Sequence, residues 1–415
     1  MLNIKKNNII AFFCLIFYKL ILDAFYIFFI HKYYEYMGFS LDFNGYKYLL
    51  SLMFIIILFT FLPKDSQKPS SIFLQLHLIV MFIPMLTIYA FMNESTNFML
   101  INVLAFLSQC ILINLMPNIK IARIKNSKKL LYLLLCVITI FVYLSMIRAN
   151  GLPSLKTLNI LNVYDVRSNV AYPFLMNYLV NWQAKVINPF LITVAYLRGS
   201  RNFLMVFVFL QIIIYMITAH KSFLFMPMAI IIVCYILKKV DFLKLSTIVS
   251  AISSFIILIH YFISKSILVS SIFIRRFLFV PAHIKFSYYD FFTNNSFLYF
   301  SLGRIGNIFG INYPYDKKIA NLIGEVYYNS PNMWVNTGYL ADAYANMGYW
   351  GIFFISILFV LVLKVIDSLS IKVGKELTVG LALFPILSLN DGAFLTTLFT
   401  GGLLFTILVL FLYSK

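Results

Sequence analysis

The chain has 415 residues, of which 62% are hydrophobic and only 11% charged, against roughly 45–50% and about 25% in ordinary soluble domains. So much apolar surface excludes a single water-facing fold and a disordered chain alike. The net charge of +19 would suggest nucleic-acid binding in a soluble protein, but in a membrane protein basic residues hold the cytoplasmic loops. The composition therefore indicates an all-α, polytopic integral membrane protein with the lipid bilayer, and no nucleic acid, as its partner.

Twelve apolar segments of the chain are candidates for membrane crossing, since a transmembrane helix needs about 20 predominantly apolar residues. They cover residues 8–30, 48–62, 71–92, 98–116, 130–147, 173–197, 203–218, 222–237, 246–262, 347–363, 377–389 and 393–413. Lys5 and Lys6 precede the first segment as in a signal peptide. That segment continues past Ile30 without a small-residue cleavage site, so we interpret it as an uncleaved first helix.

The distribution of basic residues tests this topology, because cytoplasmic loops carry an excess of Lys and Arg. With the N-terminus inside, 18 of the 33 basic residues fall on the cytoplasmic side, whereas the short outer loops carry only Lys32, Lys47 and Lys221. The sequence therefore predicts about twelve transmembrane helices with both termini cytoplasmic, in a single polytopic domain that covers residues 1–415.

Two of the predicted outer segments are long, residues 148–172 and the 83 residues 264–346, and their net charges are +2 and +3. Basic residues on the translocated side oppose the usual bias, although long loops escape that bias. The alternative interpretation is an extracytoplasmic site for an anionic ligand such as a lipid pyrophosphate or an acidic sugar. The large outer loop 264–346, between helices nine and ten, is the predicted active-site region, since loops of this length are usually functional.

Several familiar motifs are absent from the sequence. It contains no phosphate-binding glycine-rich loop, no zinc-protease motif and no Cys/His spacing typical of a metal site. The cysteines all fall inside apolar segments and predict small buried side chains rather than disulfides; they are Cys14, Cys110, Cys136 and Cys234. We therefore expect no metal and no cofactor, and energy from an ion gradient or from an activated, lipid-borne substrate.

Polar residues inside the predicted spans form two patterns. In the sixth span Asn177, Asn181, Lys185 and Asn188 recur at spacings of four, four and three, which predicts one polar helical face. A lysine at mid-membrane costs roughly 2.5–3.5 kcal/mol, so Lys185 should face a partner or a wet cavity, unless the stretch is interfacial and the side chain snorkels. In the first span, Lys19 and Asp23 lie four residues apart and predict an internal ion pair.

Two groups of outer residues could bind a phosphate or a sugar. His220 and Lys221 are adjacent in a tight turn between helices seven and eight, which could equally be a plain solvated turn. In the large outer loop, Arg275 and Arg276 stand among aromatic residues shortly before His283. Two adjacent guanidinium groups suit a pyrophosphate clamp, because arginine binds phosphate bidentately. The alternative is an interfacial basic and aromatic helix that touches lipid headgroups.

The segment that closes the large loop, residues 332–351, is dense in Gly, Asn and aromatic residues and leads directly into the tenth span. Small residues allow helices to pack closely in a membrane. Asp342, near the predicted membrane surface, is a candidate base for activation of a hydroxyl group.

Short stretches of this closing segment and of the turn between helices seven and eight resemble a known protein family. The stretch Asn336-Thr337-Gly338, with Gly348-x-x-Gly351 after it, is similar to the Wzy-type O-antigen polymerases, which join oligosaccharide repeat units. The segment His220-Lys221-Ser222, followed by an apolar helix, is similar to them as well. So are the number of spans and the large outer loop late in the chain.

The resemblance implies a multi-pass glycosyltransferase of the bacterial inner (cytoplasmic) membrane. It would move a growing glycan from undecaprenyl pyrophosphate to a new lipid-linked repeat unit on the outer face, without a nucleotide sugar. Cations must then stabilise the departing pyrophosphate and a base must accept a proton from the acceptor hydroxyl. The catalytic candidates are Arg167, Arg275, Arg276 and Asp342, with Asp342 favoured as base over His283 and Asp290. The candidate substrate-binding residues are His220, Lys221, His283, Arg304, Asn336 and Tyr344.

Two other functions stay open. A lipid-linked oligosaccharide flippase would have similar length and span number, but it would need charged residues within its helices and no large outer loop. An O-antigen ligase shares the lipid-linked donor and the large loop, and transfers glycan to the lipid A core. Besides the undecaprenyl-pyrophosphate-linked oligosaccharide, a polysaccharide chain-length regulator is a possible partner of the polymerase.

Overall fold

The computed structural model describes residues 2–121, 127–151, 153, 174–239, 241–302 and 304–414. These ranges form an all-α structure with fifteen helices. They are α1 (Lys6–Met37), α2 (Gly45–Phe61), α3 (Pro69–Phe91), α4 (Thr96–Leu115), α5 (Ser127–Asn150), α6 (174–197), α7 (Arg201–Thr218), α8 (Lys221–Lys239), α9 (Phe242–Ser264), α10 (268–294), α11 (Arg304–Phe309), α12 (Ile319–Tyr328), α13 (Tyr339–Val373), α14 (Lys375–Leu387) and α15 (Phe394–Tyr413).

Nine of the described helices are long and apolar enough to cross a membrane: α1, α3, α4, α5, α7, α8, α9, α13 and α15. The all-α architecture is therefore confirmed, and the length and composition of these nine helices agree with a multi-pass membrane protein. Of the three remaining predicted spans, α2 has 17 residues and α14 has 13. The sixth, α6, is interrupted by a π-helical turn at Gln183–Ile187.

Several of these helices begin at residues that favour a helix N-terminus. The Asn44 side chain accepts a hydrogen bond from the backbone N–H of Lys47 at the start of α2, and Asp241 caps α9 in the same way. At the start of α3, Pro69 occupies the first helical position. The cap of α3 comes from far along the chain, because Asp367 accepts hydrogen bonds from the Ser70 backbone N–H and hydroxyl.

The centre of the bundle is α3, because 89% of the residues in its apolar 18-residue stretch are buried. The predicted ion pair of α1 lies beside it. The Lys19 ammonium is 2.7 Å from both carboxylate oxygens of Asp23, and Asp23 also accepts a hydrogen bond from the Thr87 hydroxyl of α3. Lys19 is fully buried and also lies over the ring of Tyr48. The internal ion pair is therefore confirmed.

Contacts between connections divide the helix ends into two groups. In one group, the α1–α2 loop contacts the end of α3, where the Asp42 N–H donates a hydrogen bond to the Phe91 carbonyl. In the same group, the Lys47 ammonium of α2 donates a hydrogen bond to the Glu94 carbonyl. In the other group, Ser66 bonds to Asp241. The same end holds the bond from the Ile119 N–H to the Ser368 hydroxyl and that from Lys372 to the Ile121 carbonyl.

The beginning of α13 is a short helix folded back on the rest of it. Met347 and Gly348 have non-helical backbone angles, with a positive φ at Gly348, so residues 339–346 and 349–373 are two helices joined by a sharp bend. A Cβ atom on Gly351 would lie 2.0 Å from the Ala343 carbonyl oxygen, which shows how closely the two arms pack. The helix thus begins eight residues before the predicted start at 347, inside the segment interpreted as an outer loop.

The N-terminal arm of α13 reaches well into the bundle. Its first residue, Tyr339, packs on Phe359 of the second arm with ring centroids 5.4 Å apart. Phe359 also stacks on His77 of α3, whose ring contacts the Ile386 carbonyl near the end of α14. At 1.5 Å per residue, Phe359 lies roughly 15 Å along the helix from the bend. Tyr339 and the end of α14 therefore lie about halfway along the spanning arm of α13.

The four polar residues of α6 do not form one face. The π-helical turn contains an extra residue and changes the angular relation between the residues before and after it. Asn188 is buried and bonds to Gln211 of α7 and Tyr143 of α5. Lys185 is half-buried and faces the α14–α15 connection, where it interacts electrostatically with Asp391. The predicted single polar face assumed a regular α-helical period, which α6 does not have.

Candidate functional site

The predicted large outer loop is mostly helical, and its main element is α10. In α10 the side chains of Arg275 and Arg276 point in different directions, because adjacent residues face different sides of a helix, also in the π-helical stretch Ser271–Phe279 that contains them. Arg275 is buried; its guanidinium bonds to Ser271 and lies 4.2 Å from the ring centroid of Tyr34 in α1. Arg276 is exposed. The two arginines therefore do not form one clamp in this structure, and Arg276 is the accessible one.

His283 lies two turns further along α10 and faces the α1–α2 loop. Its ring packs against Phe39 at 4.8 Å, and its Nδ1 is 3.3 Å from the hydroxyl of Tyr328 in α12. A Cβ atom on Gly38 would lie 3.0 Å from Cε1 of His283. Burial lowers the pKa of His283 to about 4, so the imidazole is neutral at pH 7.

Two carboxylates, Asp290 and Glu94, interact electrostatically with each other near the end of α10, and sequence analysis did not single out Glu94. Asp290 of α10 accepts a 2.6 Å hydrogen bond from the Tyr327 hydroxyl. Glu94, from the short α3–α4 connection, is half-buried and interacts electrostatically with Asp290 and with Lys47. Burial, followed by the Asp290 charge, raises the pKa of Glu94 to about 7, and Lys47 opposes the shift. The only sequence signal for Glu94 is a lone acid in a connection that the topology prediction places on the outer side.

This raised pKa predicts a pH-dependent effect of Glu94→Gln. The folded protein holds the Glu94 proton up to about pH 7, whereas the unfolded chain releases it near pH 4.3, so ionised Glu94 destabilises the fold above pH 7. We expect Glu94→Gln to raise the free energy of unfolding by about 1 kcal/mol at pH 8, after allowance for solvent screening. The gain should shrink as the pH falls and vanish below about pH 4.5.

Thermal unfolding of the purified protein in detergent, measured from pH 4.5 to pH 8.5, checks this expectation. Asp65→Asn, an exposed acid at the opposite end of the bundle, is the matched control. A gain from Glu94→Gln that was the same at every pH would contradict the assignment.

The remaining predicted site residues are scattered. His220 and Lys221 are half-buried at the α7–α8 turn, where the His220 ring contacts Phe223. Asn336 is exposed and accepts a hydrogen bond from the indole of Trp334. Tyr344 is buried in an aromatic cluster, with its ring 4.7 Å from that of Tyr289.

Two predicted site residues cannot be placed by their side chains. Arg167 and most of segment 148–172 lie outside the described residues, as does the side chain of Arg304, whose backbone begins α11.

A second polar group lies deeper, around the N-terminal arm of α13. Lys285 of α10 is fully buried and donates hydrogen bonds to the Pro281 carbonyl and to both oxygens of Asn390 in the α14–α15 connection. A Cβ atom on Gly338 would lie 2.7 Å from Cε of Lys285 and 2.5 Å from the Asn390 carbonyl oxygen. Only glycine fits where these three segments meet, which places one of the resemblance motifs at a packing contact.

Asp342 lies one helical turn beyond Gly338. It is half-buried, close enough to Tyr288 to interact electrostatically with it, and its side chain has no hydrogen bond to another described residue. Asp391, next to Asn390, is exposed and interacts electrostatically with Lys185 and Lys285. Sequence analysis missed Asp391, since a single acid between two apolar segments gives no local pattern.

Among the described residues, no cluster of three or more His, Cys, Asp or Glu side chains could hold a metal ion. Comparison of the chain with protein-family models, with curated proteins and with solved structures finds no match.

Proposed function

We propose that the chain is a membrane glycosyltransferase that polymerises undecaprenyl-pyrophosphate-linked repeat units into O-antigen polysaccharide on the outer face of the inner membrane. The observation that carries the proposal is the arrangement of α10. This helix presents Arg276 at its surface, packs His283 against Phe39 of the α1–α2 loop, and places Asp290 close enough to Glu94 to interact with it electrostatically. An idle loop would not bury Arg275, His283 and Lys285 against three separate parts of the bundle.

The reaction needs no nucleotide, in keeping with the absence of nucleotide-binding motifs from the sequence. As the bond between the anomeric carbon and the pyrophosphate oxygen breaks, Arg276 and Arg167, helped by Lys221, would stabilise the additional negative charge that develops on the departing pyrophosphate. Asp342 would take the proton of the acceptor hydroxyl as the new glycosidic bond forms. Its carboxylate suits this role, because no hydrogen bond to another described residue occupies it.

The proposed topology has twelve spans with both termini in the cytoplasm. The grouping of the helix ends supports this topology. Each contact described above joins two segments that twelve alternating spans place on the same side of the membrane. In this topology α2, α6 and α14 also cross or enter the bilayer, α11 and α12 lie on the outer side, and α10 enters the bundle from that side. A chain-length regulator in the same membrane would be the expected partner.

Lipopolysaccharide from a clean deletion strain, separated on a gel, tests the proposal. Core that carries a single repeat unit without a ladder is the expected result, because flipping and ligation survive when polymerisation is lost. Bare core would contradict the proposal and would assign the chain to flipping or to ligation.

One observation favours a second candidate, a lipid-linked oligosaccharide flippase. The half-length arm of α13, the short α14 and the break in α15 at Thr400–Gly402 resemble the discontinuous helices from which transporters build sites near the middle of the bilayer. Accumulation of lipid-linked repeat units on the cytoplasmic face of the deletion strain would support the flippase, and accumulation on the outer face would support the polymerase.

A further inference from the structure

The connection between α14 and α15 lies inside the bundle rather than at its surface. With 13 residues, α14 is about 20 Å long, too short for a hydrocarbon core of about 30 Å. Near its C-terminal end the Ile386 carbonyl contacts His77, whose ring stacks on Phe359 at the middle of the spanning arm of α13. The connection 388–393 therefore turns at membrane depth.

Non-helical backbone at this depth is tolerated only where protein buries it or where it lines a water-filled cavity. Adjacent residues of this connection differ in burial. Leu389 and Asn390 are buried, and Asn390 is held by Lys285. The next residue, Asp391, is exposed. The open side of the turn is therefore the side of Asp391.

Lys185 of α6 lies close enough to Asp391 to interact with it electrostatically. The two groups attract each other, yet neither belongs to any ion pair of the described chain, and Lys185 has no hydrogen bond to a described residue. Lys285 differs, because its three donors are all used by Pro281 and Asn390. Opposite charges within a membrane that form no direct ion pair are costly, and such residues usually serve a substrate pathway.

An apolar groove lies one helical turn away on α6. It has a volume of about 390 Å³ and is lined by Trp182, Phe399, Leu404, Phe405, Ile407, Leu408 and Phe411. The Trp182 indole bonds to the Phe399 carbonyl at the break in α15, and its ring stacks on Phe405. A polar opening and an apolar groove thus share one helix, which suits a ligand with a polar head and a long hydrocarbon tail.

We propose that Lys185 and Asp391 line a water-filled recess, open to the outer side, that binds sugar hydroxyl groups of the lipid-linked oligosaccharide while its isoprenoid tail follows the Trp182 groove. The carboxylate accepts hydrogen bonds from two hydroxyls, and the ammonium donates one to a sugar oxygen. A phosphate is the poorer ligand here, because it would be repelled by Asp391. The identity of the sugar-bearing ligand rests on the proposed function, whereas the recess itself does not.

Accessibility of introduced cysteines tests the recess. In a variant without Cys14, Cys110, Cys136 and Cys234, Asp391→Cys and Lys185→Cys should react with a membrane-impermeant thiol reagent added to the outer side. The exposed Tyr36→Cys should react in the same way, and the buried Thr406→Cys should not. Failure of Asp391→Cys to react while Tyr36→Cys does would overturn the recess, whatever reaction the protein catalyses.

Protection from labelling tests the ligand. Lipid-linked oligosaccharide extracted from the deletion strain should slow labelling of Asp391→Cys at least tenfold, and undecaprenyl pyrophosphate alone should not. Equal protection by both would assign the recess to the lipid carrier and overturn the sugar contact, as would no protection by either. In cells, Asp391→Asn should shorten the polysaccharide at normal protein level. In the labelling experiment the control is Asp290→Asn, which removes an acid of α10 outside the recess. This control should leave the labelling of Lys185→Cys unchanged.

Discussion

Replacement of Arg276 by alanine is expected to reduce long polysaccharide chains by about 100-fold at unchanged protein level, the effect of removing one preorganised group that stabilises developing charge. Arg276 is exposed on α10, so its replacement removes a cation from the surface of this helix. The measurement is a lipopolysaccharide gel of the deletion strain complemented with each variant, together with an immunoblot of the membrane fraction.

Adjacent Arg275 provides a structural contrast. Because its buried guanidinium contacts Tyr34, Ser271 and Met37, Arg275→Ala should lower the amount of folded protein. Arg201→Ala, which removes an exposed arginine at the start of α7 on the predicted cytoplasmic side, is the matched control and should leave the ladder unchanged. A normal ladder from Arg276→Ala would remove this residue from the proposed mechanism.

Removal of Asp23 is expected to have the largest effect on stability. Asp23→Ala leaves the fully buried Lys19 ammonium without its carboxylate, which costs about 3–5 kcal/mol when a buried pair loses one partner. Thr87→Val removes only one hydrogen bond to Asp23 and should cost about 1 kcal/mol. Unfolding of the purified protein in mixed micelles with increasing denaturing detergent measures both changes.

The double variant Lys19→Met with Asp23→Leu separates the charge from the packing. Apolar side chains of similar volume often replace a buried ion pair with little loss, so the double variant should recover most of the stability that Asp23→Ala loses. A double variant as unstable as the single one would mean that the pair is needed for its geometry and not merely for mutual neutralisation.

Local sequence could predict some residues of the candidate site, but not how the structure arranges them. The Arg275–Arg276 pair, His283 and Asp290 could be found because cations and aromatic residues are unusual in an outer segment of so apolar a chain. Their separation on α10 depends on the helical conformation of a segment that was interpreted as a loop. Glu94 reaches Asp290 only because the α3–α4 connection and α10 lie at the same end of the bundle, a relation that no spacing in the sequence contains.

By itself the sequence determined the membrane class, nine of the spans and the ion pair of α1. Each depends on residues within one helix, where hydropathy and the α-helical period act over a few turns. Only the tertiary structure decided that the arm beginning at Tyr339 folds back into the bundle, and that Lys285, Asn390 and Gly338 meet there. Such contacts join segments far apart in the chain, and their free energy comes from close packing and from hydrogen bonds that must be satisfied away from water.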